Sequence, residues 1–74
     1  MPTSRAAPRA YEDIVAQIEQ WIGSGALSMG DQLPGERDLS RQFGVSRVAV
    51  REAIRNLEAR GIIEVRVGSG TYIR

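Results

Sequence analysis

Phe43-Gly44-Val45-Ser46-Arg47-Val48-Ala49-Val50-Arg51-Glu52-Ala53 is the stretch that decides the fold. It reads as the end of one helix, a tight turn and the start of a second helix. Gly44 can take positive φ at no steric cost, which suits the position just past a helix C-terminus. Ser46 suits the N-cap that follows, because its hydroxyl can accept a backbone N–H of the first turn. Val45, between them, is expected to plug the core at the turn. The second helix has two faces. Val50, Ala53, Ile54 and Leu57 recur at i, i+3, i+4 and i+7, the spacing of one buried stripe. Arg47, Arg51 and Arg55 recur at i, i+4 and i+8, which makes a cationic row elsewhere on the cylinder.

A helix with one face in a core and guanidiniums on another is suited to reading the DNA major groove. Taken alone, a row of arginines is more often a solvated face. Arg55 in particular has Glu52 and Glu58 within pairing distance along the helix. Glu52 is expected to be an internal ion-pair partner, and Arg37 is one candidate for its mate.

Working outward, Pro34-Gly35-Glu36-Arg37-Asp38-Leu39 opens the preceding helix, which runs to about Phe43. Glu36 and Asp38 place negative charge at its start, where the helix dipole favours it. Leu39 and Phe43 face inward, and Arg37 and Arg41 face outward. Upstream, Tyr11, Ile14, Val15, Ile18, Trp21 and Ile22 form a broad apolar face on a first helix expected over 10–22, with Glu12 and Asp13 in its first turn. Trp21 is expected in the core rather than as a stacking platform. Met1 to Arg9 is read as a mobile tail. Gly23-Ser24-Gly25 ends the first helix, and Gln32-Leu33 is read as a short edge strand before Pro34.

Downstream, the recognition helix is expected to run to about Arg60, with Gly61 just past its end. Ile62 to Val67 reads as a strand, Val67 to Gly70 as a turn and Thr71-Tyr72-Ile73 as the returning strand. Gly68-Ser69-Gly70-Thr71 also hints at a phosphate loop, but it lacks the lysine and helix that such a loop needs, so the hairpin reading prevails.

Composition narrows the functional classes. Seventy-four residues make one small domain, which buries only about 60% of its unfolded surface. The chain has neither cysteine nor histidine, so Ser-His and Cys-His catalysis and the usual zinc sites are excluded. No apolar run reaches the length of a membrane span. Net charge is +1, yet residues 1–32 hold two arginines and four carboxylates, while residues 33–74 hold eight arginines and five. The basic excess therefore lies in the half that carries the helix-turn-helix pattern. All ten basic residues are arginine, which forks onto guanine or phosphate as lysine does not; a bias in codon usage would give the same composition.

These residues resemble the N-terminal DNA-binding domain of the GntR family of bacterial transcription regulators. The family pattern Leu-Pro-x-Glu-Arg-x-Leu stands as Leu33 to Leu39. The pattern Gly-Val-Ser-Arg-x-x-Val-Arg-Glu-Ala stands as Gly44 to Ala53. The closing pattern, Leu-Glu-x-x-Gly-[Leu/Ile]-[Ile/Val] and then Gly-x-Gly-Thr-[Tyr/Phe]-[Val/Ile], stands as Leu57 to Ile63 and Gly68 to Ile73. The match covers about residues 11 to 74. Glu52 makes the FadR-type subgroup the better likeness.

The resemblance implies a mainly α fold with a small β-hairpin, a winged helix-turn-helix of three helices plus wing spanning residues 10–74. It implies binding to an inverted-repeat operator in double-stranded DNA as a homodimer. Arg47 and Arg51 would enter the major groove, Arg37 would meet the DNA backbone and could reach a base edge, and Gly68 would let the wing approach the minor groove. Ser46, Val48, Ala49, Val67 and Ser69 complete the candidate DNA-facing set. Val48 and Ala49 stand where relatives often carry Thr, and Gly35 stands where Ser is common. The resemblance also implies that a C-terminal domain, absent from this chain, binds a small effector and holds the dimer. No cofactor is expected in this domain, no membrane partner and no enzymatic activity. The expected address is the cytoplasm, and the expected role a metabolite-responsive repressor. The alternative is a winged-helix protein-interaction module without DNA contact, which the near-zero net charge favours.

Overall fold

The computed structural model describes residues 7–74. Helices α1 (Ala7–Gly23), α2 (Glu36–Phe43) and α3 (Arg47–Ala59) precede strands β1 (Ile63–Arg66) and β2 (Gly70–Ile73). The order is that of three helices followed by a hairpin, as the sequence predicts.

Helix α1 begins at Ala7, three residues before its expected start. Pro8 permits this, because a first-turn proline gives up an N–H that has no helical partner anyway. Residues 7–9 therefore belong to the helix rather than to a tail, and the rest of the expected tail lies outside the described residues. Glu12 and Asp13 consequently fall beyond the first turn, so the helix-dipole role expected of them does not apply. Ile14 and Ile18 are buried on α1, while Tyr11, Trp21 and Ile22 pack partly buried against the core.

The α2–α3 turn forms as its residues predict. Gly44 takes the left-handed conformation at φ 66°. Ser46 caps α3, its hydroxyl accepting from the Ala49 N–H at 3.1 Å. The Ser40 hydroxyl donates to the Val45 carbonyl at 2.6 Å, a further bond across the turn. The rings of Trp21 and Phe43 stack with centroids 5.7 Å apart, tying the end of α1 to the end of α2. Val50, Ala53 and Leu57 are fully buried, so the apolar stripe of α3 faces the core. Arg60 is the C-cap of α3, and Gly61 follows it at φ 76°.

Strands β1 and β2 pair antiparallel, with Ile63 opposite Ile73 and Arg66 opposite Gly70. Alternation along the strands turns Ile63 and Ile73 into the core, where both are buried. The segment before α2 lies along the free edge of β2. Gln32 forms a β-bridge with Tyr72, and the Leu33 N–H donates to the Thr71 carbonyl at 2.8 Å. This is the short edge strand read from Gln32-Leu33, and it sets the start of α2 beside the wing.

Candidate nucleic-acid interface

Arg47 and Arg51 project from successive turns of α3, with side chains 56% and 52% exposed. Between them sits the Glu36 carboxylate, from the first residue of α2. The Arg47 Nε donates to Glu36 Oε1 at 3.0 Å. The Arg51 Nε donates to Oε2 at 2.8 Å and its Nη2 to Oε1 at 3.3 Å. The hydrogen bonds from Arg51, and then the one from Arg47, hold the Glu36 carboxyl below the ordinary carboxylate range. The same contact raises the Arg51 guanidinium above its usual value.

This pairing has a geometric consequence. A guanidinium carries five N–H donors in a fixed plane. Glu36 takes the Nε–H of each arginine and one Nη2–H of Arg51, which leaves the adjoining Nη1–Nη2 edge with an N–H on each nitrogen. That edge can bridge two adjacent acceptors, such as O6 and N7 of guanine. The carboxylate thus fixes both forks without consuming the donors that face outward.

The remaining expected residues are distributed unevenly. Val48 is 64% exposed beside Arg47, and Val67 at the wing tip is 99% exposed. Ala49, by contrast, is only 8% exposed and belongs to the core cluster. It lies one turn before Ala53 on the buried face, so helical periodicity turns it away from Val48. Ser46 is exposed, with its oxygen committed to capping α3. Arg37 is exposed and has no ion-pair partner among the described residues. The expected Arg37–Glu52 pair does not form, and neither Glu52 nor Glu58 pairs with Arg55. Arg60 instead reaches Glu19 on α1 at 2.6 Å.

At the wing, Gly68 takes φ 79°, and the Ser69 N–H closes the turn onto the Arg66 carbonyl at 2.9 Å. Spacing along the chain does not single out Arg66. Its guanidinium lies 4.3 Å over the Tyr72 ring and 3.4 Å from the Glu64 carboxylate. Glu36 was read only as a helix-dipole residue; its partners lie 11 and 15 residues away, beyond what local spacing can show. Among the described residues, no group of three or more potential ligands could hold a metal ion.

Three helices, with a tight turn between α2 and α3, followed by an antiparallel hairpin make this a winged helix-turn-helix. Residues 10–73 match the family of bacterial regulatory proteins called the gntR family, and the chain belongs to it. It is 48% identical over 65 residues to the Uxu operon regulator of Haemophilus influenzae, covering 88% of this chain and 24% of that protein. It is 47% identical over 64 residues to the mannosyl-D-glycerate transport/metabolism system repressor MngR of Escherichia coli, covering 86% of this chain and 27% of the other. The chain therefore spans about a quarter of the length of these relatives. A crystal structure of the AraR DNA-binding domain in complex with operator ORX1 superposes with a TM-score of 0.85 at 34% identity, covering 88% of this chain and 78% of that one.

Proposed function

We propose that this chain is the sequence-specific DNA-binding unit of a transcription regulator. The observation that carries this reading is the pair of exposed guanidiniums, Arg47 and Arg51, aligned on α3 by one carboxylate. In this reading α3 enters the major groove. The free edges of Arg47 and Arg51 meet guanines, and Val48 meets a thymine methyl. Arg37 meets phosphate, and Val67 and Gly68 carry the wing to the minor groove. The work is binding rather than chemistry, and this domain needs no cofactor for it. The relatives named as an operon regulator and as a repressor support transcriptional control, and the AraR–operator complex supports double-stranded DNA as the partner.

We extend the reading to a dimer on an inverted repeat, controlled by a small effector bound elsewhere in the regulator. A single unit on one half-site forfeits the second set of contacts and binds weakly by itself. No helix among the described residues is long and apolar enough to cross a membrane. The test is selection of randomised duplexes by the chain fused to a dimerising partner, near physiological salt. The expected result is an enriched inverted repeat with G·C pairs in each half-site. No enrichment, together with no salt-dependent binding to any duplex, would overturn the reading in favour of a protein-interaction module.

A further inference from the structure

Gln32 joins the two DNA-facing parts of the molecule. Its backbone bridges Tyr72 on the edge of β2. Its side chain crosses the outer face of that strand over Gly70 and donates Nε2–H to the Ser69 carbonyl at 3.2 Å. A Cβ at Gly70 would collide with that amide, and the residue also sits at φ 134°. With any other residue there, the Gln32 amide would have to swing off this path. The same Ser69 carbonyl accepts from the Tyr72 hydroxyl at 3.2 Å, and that hydroxyl lies 3.0 Å from the Ser69 hydroxyl. The turn that carries Val67 and Gly68 is thus tied down at its last residue, once from within the hairpin and once from outside it.

The outside tie begins a short segment that ends at the other half of the interface. Leu33 follows Gln32 and is buried at 3% exposure. Pro34 then fixes its own φ. Glu36, four residues after Gln32, holds Arg47 and Arg51. The core anchor, the proline and the bond from the Leu39 N–H to the Gly35 carbonyl at 2.9 Å restrict the freedom of this segment.

We propose that Gln32 is a positioning residue for the wing, setting where the wing turn lies relative to the guanidiniums of α3. A site reads two grooves together only if its parts are held at the matching spacing by supporting contacts. Neither Gln32 nor Gly70 needs to touch DNA for this. The inference rests on the proposed part of the wing in DNA reading.

Gln32→Glu tests it. The substitution keeps shape and length, removes the donor and sets a carboxylate against the Ser69 carbonyl. Gln32 is exposed, so thermal unfolding of the variant should match that of the unmodified chain. In the absence of DNA, amide exchange at Ser69 should quicken while exchange in α3 stays unchanged. With randomised duplexes selected on the immobilised chain at low salt, both proteins should enrich the same G·C positions. The variant should lose the A·T preference at flanking positions, where the minor groove distinguishes A·T from G·C. Retention of that preference in the variant would overturn the role of Gln32. Loss of the G·C and flanking preferences together would overturn it too, by showing an effect on the whole fold. If the unmodified chain reads G·C pairs but shows no flanking preference, the wing's part in DNA reading fails and this inference fails with it.

Discussion

The Arg51 guanidinium meets the Glu36 carboxylate edge to edge, Nε to Oε2 at 2.8 Å and Nη2 to Oε1 at 3.3 Å, across 15 residues of sequence. Arg47 shares the same carboxylate. One anion therefore organises two cations on the surface that α3 presents. An arginine without such a partner would sample many rotamers and meet any phosphate within reach. Held by Glu36, it offers a fixed edge that suits a base better than a backbone.

Glu36→Gln should therefore loosen discrimination more than it weakens binding. Removing the carboxylate frees both guanidiniums for phosphate, so affinity for random duplexes should rise. Affinity for the selected operator should rise less or fall. The quantity to measure is the ratio of the two dissociation constants at one salt concentration. An unchanged ratio would show that Glu36 does not orient the arginines for base reading.

Arg47→Ala and Arg51→Ala should each reduce preference for a G·C pair by about tenfold or more, the worth of one bidentate contact. Competition between operators differing at that pair reads the effect. Equal losses on specific and random duplexes would mean that the residue meets only the backbone.

Arg37→Ala should weaken all sequences about evenly. It should also flatten the dependence of log K on log salt by about one unit, the release of a single counterion. Titrations at several salt concentrations give the slope directly. No change in slope would remove Arg37 from the phosphate contacts.

Acid should open the clamp. The Glu36 carboxyl is held below its ordinary value of 4.5 in the folded chain. A depressed carboxyl contributes stability that is present above its unfolded value and is lost as pH falls through its folded value. Thermal unfolding of the native chain and of Glu36→Gln should thus differ most above pH 4.5 and converge below it. The difference should be small, because the pair is exposed and solvent screens it. A gap that persists at strongly acid pH would assign the effect of the substitution to something other than charge.

Leu57→Ala should threaten the fold itself. Leu57 is fully buried at the end of the α3 stripe, and such truncations cost about 2–5 kcal/mol. Small domains have about 5–15 kcal/mol in all. Chemical denaturation should show a large fall in the midpoint, and a loss of less than about 1 kcal/mol would mean the site collapses around the cavity.

Much of this was legible in the sequence because its causes are local. Gly44 and Ser46 marked the turn by conformational freedom and capping chemistry, and both act there as read. The period of Val50, Ala53 and Leu57 identified the buried face of α3, and Gln32-Leu33 was recognised as an edge strand. Ala49 enters the candidate DNA-facing set only through the family likeness, and the position one turn before Ala53 turns it inward. The start of α1 is harder to read, because Pro8 fits a tail as well as it fits a first helical turn.

By itself, the sequence determined the order of helices and strands, the turn that joins α2 to α3, and the separation of apolar and cationic faces on α3. Each follows from residues within a few positions of one another, where propensity and periodicity act. Only the tertiary structure decided which carboxylate holds the arginines and what ties down the wing. Glu36 reaches Arg47 and Arg51 because packing of α2 on α3 brings distant residues together, and several acids had spacings just as plausible along the chain. Gln32 reaches Ser69 across 37 residues because β2 carries the wing back beside the edge strand and Gly70 leaves space for an amide to pass.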